Sequence, residues 1–371
     1  MARKPRPLSV ALQGGGAHGA FTWGVLDRLL EDGRFDLRAV TGTSAGAVNA
    51  AALAHGLRVG GPDGARESLA AVWTEVGGSG FSSAFLDGTD EDPSLNVVAR
   101  LAQVMTSGMS PSQLNPWKFD PLRDALEEHI DFEGLRTDPR TIDIHLAATD
   151  ALNGRMRLFG KHEMSVDAVL ASACLPRVSA PVMIDDRPYW DGGYSANPPL
   201  LPLLNDKPED VLVVLIVKTE HEDIPDSSSE IAARESEFAF ISGFLRETEM
   251  LEAATKRANE ARWPFVGPLE KRLRRMRWHV IPGHEVTGEL NPQSRMIAYA
   301  PFLESLHNAG RSYADDWLAH TGAVIGRSTS ANLATCPPRV SECPGAPRHI
   351  SSAAARSGRP AQPRPPRCRA Q

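Results

Sequence analysis

The order of apolar and polar positions predicts alternating strands and helices over the first fifty residues. Residues 8–13 form a short apolar run that ends in three glycines. From Ala20, apolar residues recur at helical spacing, and a second apolar run at 37–41 turns at Gly42 into an alanine-rich helix that extends to about Ala54. Because strand, helix, strand and helix follow one another so closely, we expect parallel strands whose faces are covered by helices.

The remainder of the chain continues this pattern. Residues 141–148 and 155–159 predict paired strands around an Asn-Gly turn, and 211–217 is a continuous apolar run typical of a central buried strand. Residues 229–262 and 296–319 have the spacing of long helices. The predicted fold class is α/β, with three layers: a mainly parallel central sheet and helices on both of its faces.

Composition sets the two ends of the chain apart from its body. Residues 1–6 are a basic lead, and the α/β body is predicted in two parts, a first domain at 7–204 and an extension at 205–325 packed on it. The last part, 326–371, is rich in Pro, Ser and Arg with few large apolar residues, which predicts a disordered tail. This tail contains eight Arg and one Glu, so the net charge of −6 leaves −13 for residues 1–325. An acidic body disfavours nucleic acid as a partner.

Several other classes are excluded by what the sequence lacks. No run approaches the roughly 18–20 apolar residues that a membrane-spanning helix needs, and the basic start lacks the apolar core of a signal peptide. We therefore expect a cytoplasmic protein, with contact at a membrane surface as the option left open. No calcium-binding pattern is present, so neither a metal nor a cofactor is expected. The cysteines are too few and too scattered for a disulfide framework or a zinc site: Cys174, Cys336, Cys343 and Cys368.

A serine stands at the junction of the second strand and the following helix, in the sequence GTSAG at 42–46. In a G-x-S-x-G turn the serine sits on a tight bend with its hydroxyl clear of the sheet, and the glycines avoid collisions with strand and helix. The helix N-terminus presents unpaired N–H groups to an anion that forms beside the serine. Ser44 is therefore a candidate nucleophile; the alternative is a glycine-rich turn with an N-capping serine.

The sequence GGGAHG at 14–19 exposes backbone N–H groups between the first strand and the first helix. Such a loop binds a phosphate or an oxyanion. It also matches the dinucleotide-binding pattern, which expects an acidic residue at the end of the second strand. Asp36 lies before that strand instead, so dinucleotide binding is disfavoured.

Asp191 follows a strand-like segment and precedes two glycines, which places its carboxylate on an open turn. By itself this is an ordinary Asp-Gly turn. Taken in this order, however, the three motifs resemble those of the patatin-like phospholipase family, the lipid acyl hydrolases. The sequence ASACLP at 171–176 and Pro181 also resemble the segment before the aspartate in that family. The resemblance covers about residues 8–204.

The resemblance implies a Ser–Asp dyad without histidine: Asp191 accepts the proton of Ser44, whose hydroxyl attacks an ester carbonyl. A carboxylate near its reference pKa of about 4 is a weak base for the serine hydroxyl at neutral pH. Stabilisation of the oxyanion is therefore expected to supply a large share of the catalysis. His18 stands where the family commonly has Arg or Lys, so no permanent positive charge is expected there. The oxyanion-binding residues implied are Gly14, Gly15, Gly16 and Ala45. The motif glycines are Gly19, Gly42, Gly46, Gly192 and Gly193.

Two alternatives remain open. The chain order Ser, Asp, His also fits a conventional triad, for which His284, after a strand-like segment, is the candidate. A non-catalytic protein that binds an acyl or phosphate ligand through the glycine loop is the second alternative. The presence of both Ser44 and Asp191 disfavours it.

The resemblance implies a phospholipid, galactolipid or neutral glycerolipid substrate. A basic run can meet anionic headgroups or form an ordinary solvated helix face; it comprises Lys271, Arg272, Arg274, Arg275 and Arg277. Apolar residues of the loop-rich region after Gly77 are candidates for an acyl channel, with core packing as their alternative role: Phe81, Phe85, Leu86, Val104, Met105, Met109 and Leu114. Neither the headgroup preference nor the oligomeric state can be inferred from the sequence.

Overall fold

Strands and helices alternate along the chain, as the apolar pattern predicts. The structure is a computed structural model that describes residues 4–79, 82–106, 108–114, 120–205, 209–221, 223–261 and 266–333. In these parts of the chain the strands are β1 (Arg6–Leu12), β2 (Phe35–Thr43), β3 (Leu86–Gly88), β4 (Pro93–Leu95), β5 (Asp143–Asp150), β6 (Met156–Gly160), β7 (Val182–Ile184), β8 (Arg187–Asp191), β9 (Asp210–Leu215) and β10 (Arg277–Pro282). The α-helices are α1 (Gly19–Asp32), α2 (Ala45–Gly78), α3 (Val97–Thr106), α4 (Pro111–Leu114), α5 (Pro121–His129), α6 (Phe132–Thr137), α7 (Val166–Ser172), α8 (Ser228–Glu260), α9 (Pro268–Arg275), α10 (His284–Thr287) and α11 (Ala300–His320).

The main sheet has the strand order β10-β9-β1-β2-β5-β8-β7, with β6 also paired to β5. The five strands from β10 to β5 run parallel, and β6, β7 and β8 add antiparallel pairs at the other end. The predicted α/β class with a mainly parallel sheet is confirmed. The extension predicted at 205–325 contributes β9 and β10 to this same sheet.

Strand β9 shows how the sheet separates two apolar cores. Leu212 and Val214 belong to the larger core, which they share with α1, α2 and α11. Val211, Val213 and Leu215 belong to a second core, which is completed by residues of α8 and α9. Because successive side chains of a strand point to opposite faces, this alternation places helices on both faces of the sheet, as the three-layer prediction requires.

The ends of β2 and β8 meet beside β5. β2 runs parallel to β5 until Thr43 lies opposite Ala147, and β8 runs antiparallel to β5 with Asp191 opposite Ala148. β6 occupies the other edge of β5 over these residues, so β2 and β8 share one edge. Ser44, the residue after β2, therefore lies beside the last residue of β8.

Helix α2 is longer than the alanine-rich run predicts. It continues beyond Ala54 through a break at Gly61, whose φ is 65°, and a second helical stretch begins at Pro62. A Cβ atom on Gly56 would lie 2.3 Å from the carbonyl oxygen of Gly64, so the glycines let the two stretches approach closely. Across the described residues, no helix combines the length and apolar character needed to cross a membrane.

Residues 326–333, which their composition assigns to the basic tail, lie against the sheet. The backbone N–H of Ser330 donates to the carbonyl oxygen of Trp278 at 3.0 Å, and Leu333 is 6% exposed in the second core. Apolar contact at Leu333 accounts for this order. The rest of the predicted disordered tail, 334–371, lies outside the described residues.

Candidate active site

Ser44 occupies a strained backbone position between β2 and α2. Its φ and ψ are 56° and −125°, in a region that non-glycine residues rarely adopt. A Cβ atom on Gly42 would lie 2.3 Å from the carbonyl oxygen of Gly46, and one on Gly46 would lie 2.1 Å from that of Leu12. Only glycine at both positions allows a turn this tight. Ser44 itself is 7% exposed.

Asp191 is fully buried at the end of β8. Its Oδ1 accepts a hydrogen bond from the N–H of Gly193 at 2.7 Å, whereas Oδ2 has no partner of ordinary hydrogen-bond geometry among the described residues. Burial raises the pKa of Asp191 to about 7, although the Gly193 N–H and the Ser44 hydroxyl both act to lower it. The expectation of a carboxyl near its reference pKa is thus corrected by its burial.

The glycine-rich loop lies directly against Ser44. A Cβ atom on Gly14 would be 2.6 Å from the Cβ of Ser44 and 2.5 Å from the carbonyl oxygen of Thr43. The N–H of Gly14 donates to Oδ1 of Asn197 at 2.6 Å, and Nδ2 of Asn197 donates to the Gly14 carbonyl at 3.3 Å. The Gly14 N–H is therefore occupied in holding the loop, unlike the donor role expected for it.

Three of the expected oxyanion donors remain open. The N–H groups of Gly15, Gly16 and Ala45 have no acceptor among the described residues. Gly16 has a φ of 62°, and a Cβ atom there would lie 2.1 Å from the carbonyl oxygen of Arg295. A side chain at Gly16 would therefore be both strained and blocked. Gly15 and Gly16 follow Gly14 in the loop that lies against Ser44, and Ala45 begins α2 directly after Ser44.

Sequence reasoning missed three side chains that hold this arrangement. Ser172 accepts from the N–H of Ser44 at 3.0 Å and donates to the carbonyl of Ala147 at 2.6 Å. Gln13 accepts from two N–H groups at the end of β9 at 2.6 and 2.8 Å, and Asn197 holds Gly14. Ser172 lies within the ASACLP segment that the sequence analysis singled out, and Asn197 lies shortly after Gly193, so both had a signal in the sequence.

His18 supplies no charge to the loop. It is 1% exposed, its Nε2 lies 2.8 Å from the Ser294 hydroxyl, and its ring meets Phe302 edge-on. Burial, with a contribution from Arg295, lowers the pKa of His18 to about 3. The ring is therefore neutral and takes a packing role.

His284 does not complete a triad. Within the described residues no histidine hydrogen-bonds with Ser44 or Asp191, and neither ring nitrogen of His284 has a hydrogen-bond partner. Burial first, and then Lys218, lowers the pKa of His284 to about 4. It is a buried neutral ring, 5% exposed.

Part of the basic run is engaged within the protein: Arg272 and Arg277 are half-buried, whereas Lys271, Arg274 and Arg275 are exposed. Arg272 donates to the carbonyls of Leu203 and Leu204, and Arg277 pairs with Asp210 at 2.7 Å. Arg274 likewise donates to backbone carbonyls at the end of α8. These arginines join α9 and β10 to their neighbours.

The expected channel residues separate into two groups. Phe85 is one wall of a cavity of about 600 Å³ that Val76, Leu122 and Ala298 also line. Val104, Met105 and Met109 are 69%, 76% and 43% exposed, so neither core packing nor a closed channel describes them. Phe81 and the side chain of Leu114 lie outside the described residues.

One group of potential metal ligands occurs in the described part of the chain. Glu75, Glu128 and His129 bring their ligand atoms within 4.8 Å of one another. Both glutamates are exposed, and the group includes none of the motif residues.

Comparisons with known proteins identify the family. The family model of the patatin-like phospholipases matches residues 10–204, slightly more than half of the chain, whereas no curated protein matches significantly. Among solved structures, VipD from Legionella pneumophila is 15% identical with a TM-score of 0.35, over 84% of this chain and 68% of that one. ExoU from Pseudomonas aeruginosa, in complex with SpcU, is 17% identical with a TM-score of 0.29, over 82% of this chain and 53% of that one. The chain belongs to the patatin-like phospholipase family, whose activity is lipid acyl hydrolysis.

Proposed function

We propose that the protein hydrolyses fatty-acyl esters of phospholipids or related glycerolipids through an acyl-enzyme, with Ser44 as nucleophile and Asp191 as general base. The supporting observation is a fully buried carboxylate with one unpaired oxygen, beside a serine on a strained turn. Because burial raises the pKa of Asp191 to about 7, its ionised form is both populated near neutral pH and basic enough to accept a proton.

The first half of the reaction transfers the acyl group to the enzyme. Oδ2 of Asp191 accepts the hydroxyl proton of Ser44 as Oγ bonds to the ester carbonyl carbon. The carbonyl oxygen becomes an oxyanion that the N–H groups of Gly15, Gly16 and Ala45 stabilise. The ester C–O bond then breaks, and the alcohol leaves with the proton from Asp191.

The second half returns the enzyme to its starting state. A water molecule attacks the acyl carbon and gives a proton to Asp191, and the oxyanion forms again at the same N–H groups. The bond from the acyl carbon to Oγ breaks, the fatty acid departs, and Ser44 recovers its proton. No metal ion takes part in these steps.

Labelling by a fluorophosphonate and release of fatty acid from phosphatidylcholine test this proposal. We expect wild type to be labelled and to release fatty acid, and Ser44→Ala to do neither. Ser68→Ala is a matched control, because Ser68 is a buried serine of α2, 8% exposed, with no hydrogen-bond partner among the described residues. Labelling of Ser44→Ala, or lipid binding by wild type without turnover, would contradict the proposal.

A further inference from the structure

Helix α3 carries large apolar side chains in water. At about 100° per residue, its apolar positions fall within an arc of about 120°, so they form one face. Nearly all of its residues are exposed to solvent, on all faces of the helix. The apolar face consists of Val97 (69% exposed), Val98 (66%), Leu101 (59%), Val104 (69%) and Met105 (76%).

Asn96 caps the first turn of α3 and joins it to the segment before β3. Oδ1 of Asn96 accepts from the N–H of Ala99 at 3.0 Å, and Nδ2 of Asn96 donates to the carbonyl of Ala84 at 2.9 Å. A ten-residue helix is marginal in water without tertiary packing. The exposed apolar face is thus the part of α3 that another surface must cover.

The charges around α3 indicate the kind of surface. Residues 93–119 contain no Asp or Glu and only two charged residues, Arg100 and Lys118, in a chain with 46 acidic residues. Two of the acidic residues just before this stretch are engaged with the body: Oδ1 of Asp92 accepts from the N–H of Asn291 at 2.8 Å, and Asp90 interacts with Tyr299. An acid-free, weakly charged apolar face suits a lipid surface better than the charged rim of a protein partner.

The same contacts connect α3 to the catalytic loop. β4 leads directly into α3 and lies against residues 292–296, which follow the Asn291 that bonds to Asp92. The backbone of Arg295, in that segment, lies against Gly16. A surface that covers α3 is therefore close to the oxyanion loop, where an ester must arrive.

We propose that the apolar face of α3 inserts into the surface of a zwitterionic or neutral lipid aggregate and so brings the active site to its substrate. This inference rests on the proposed lipid hydrolysis, because that reaction takes its substrate from such a surface. Apolar insertion, rather than the arginines of the basic run, then provides the attraction.

Vesicle binding by the full-length chain tests the proposal. We expect wild type to sediment with phosphatidylcholine vesicles to a similar extent in 0.1 and 0.5 M salt. The double variant Leu101→Asp, Met105→Asp should bind the vesicles at least about tenfold more weakly than wild type. Met250→Asp is the matched control, because Met250 is 71% exposed on α8 against 76% for Met105.

A second readout separates this proposal from the proposed chemistry. The double variant should keep wild-type turnover of a soluble short-chain ester and lose turnover of vesicles. Ser44→Ala should bind vesicles like wild type, so a failure of hydrolysis alone leaves docking intact. Equal vesicle binding by the double variant and wild type overturns the proposal, as does binding that requires anionic lipid and disappears in salt. If wild type does not bind the vesicles at all, the proposal is likewise overturned.

Discussion

Two buried aspartates in the same sheet have opposite environments. Asp210 opens β9, at the end of the parallel strands opposite to Ser44, and is 3% exposed. It accepts from Arg277 at 2.9 and 2.7 Å and from the N–H of Gly326 at 2.8 Å, and Nε2 of His279 lies 3.1 Å away. Burial acts to raise its pKa, but these hydrogen bonds outweigh it and hold the pKa of Asp210 well below its usual value.

Asp191 has one backbone donor and an unpaired oxygen, and its pKa rises to about 7. Both carboxylates are buried, Asp191 more deeply than Asp210. Hydrogen bonds to the charged form stabilise Asp210 as an anion, whereas at Asp191 burial outweighs the hydrogen bonds that act to lower its pKa. The difference teaches that the incompletely paired carboxylate is the one available to exchange a proton.

Replacing Asp191 should produce the largest effect on activity. We expect Asp191→Asn to lower kcat for ester hydrolysis by about 10²- to 10⁴-fold, because the proton acceptor is lost. Folding should be retained. The raised pKa means that the folded state binds more protons than the unfolded state between about pH 4 and 7, so ionisation of Asp191 costs stability as pH rises.

Thermal unfolding provides the check on that variant. Asp191→Asn should have a higher Tm than wild type at pH 8, and the difference should shrink towards pH 5. Near-wild-type turnover by this variant would remove Asp191 from the mechanism.

The opposite aspartate should give a stability effect instead. We expect Asp210→Asn to lower the free energy of unfolding by about 3 kcal/mol, because Arg277 and His279 lose their buried partner. Turnover per folded molecule should stay within about twofold of wild type. Since the pKa of Asp210 is depressed, the wild-type contribution is present above about pH 4 and is lost as pH falls. Urea unfolding at pH 7 and pH 3 measures the loss of stability and its pH dependence. A large loss of turnover would contradict the separate roles of Asp191 and Asp210.

The fold and the candidate pair Ser44 and Asp191 could be predicted from the sequence because local signals carry them. The apolar alternation of 211–215 and the glycines around Ser44 each constrain the backbone within a few residues. The pKa of Asp191 could not be predicted from the sequence, because it depends on which hydrogen-bond donors the folded chain keeps away from the carboxylate. The partners of the basic run were not accessible either, because those of Arg272 and Arg277 lie nearly 70 residues away in the chain.

Asn197 should give an intermediate effect on activity. Its side chain both accepts from and donates to Gly14, so Asn197→Ala frees the loop that carries the oxyanion donors. We expect kcat to fall about tenfold with a smaller change in KM, since the donors act mainly in the transition state. Asn197→Asp keeps the acceptor and should recover part of the loss. An equal change in kcat for both variants would argue against a positioning role.

The pH dependence of wild type should report the carboxylate directly. We expect kcat/KM to rise between pH 5 and 8 with an apparent pKa of about 7, because only ionised Asp191 accepts the Ser44 proton. Glu247 is the natural control: burial raises its pKa to about 7 as well, but it accepts from the N–H groups of Leu200 and Leu201 at 2.9 and 2.6 Å. Glu247→Gln should leave the ascending limb in place, and its disappearance would assign the limb to Glu247.

His284 provides the most demanding test of the comparison between Asp191 and Asp210, because it too is buried without a hydrogen-bond partner among the described residues. Unlike Asp191, it forms no hydrogen bond with Ser44, and its lowered pKa of about 4 keeps it neutral between pH 5 and 8. We therefore expect His284→Ala and His284→Gln to hydrolyse esters within about twofold of wild type per fluorophosphonate-labelled site. A loss as deep as that of Ser44→Ala in both variants would establish a triad. A buried atom without a hydrogen-bond partner is expected to take part in proton transfer only where a nucleophile lies beside it.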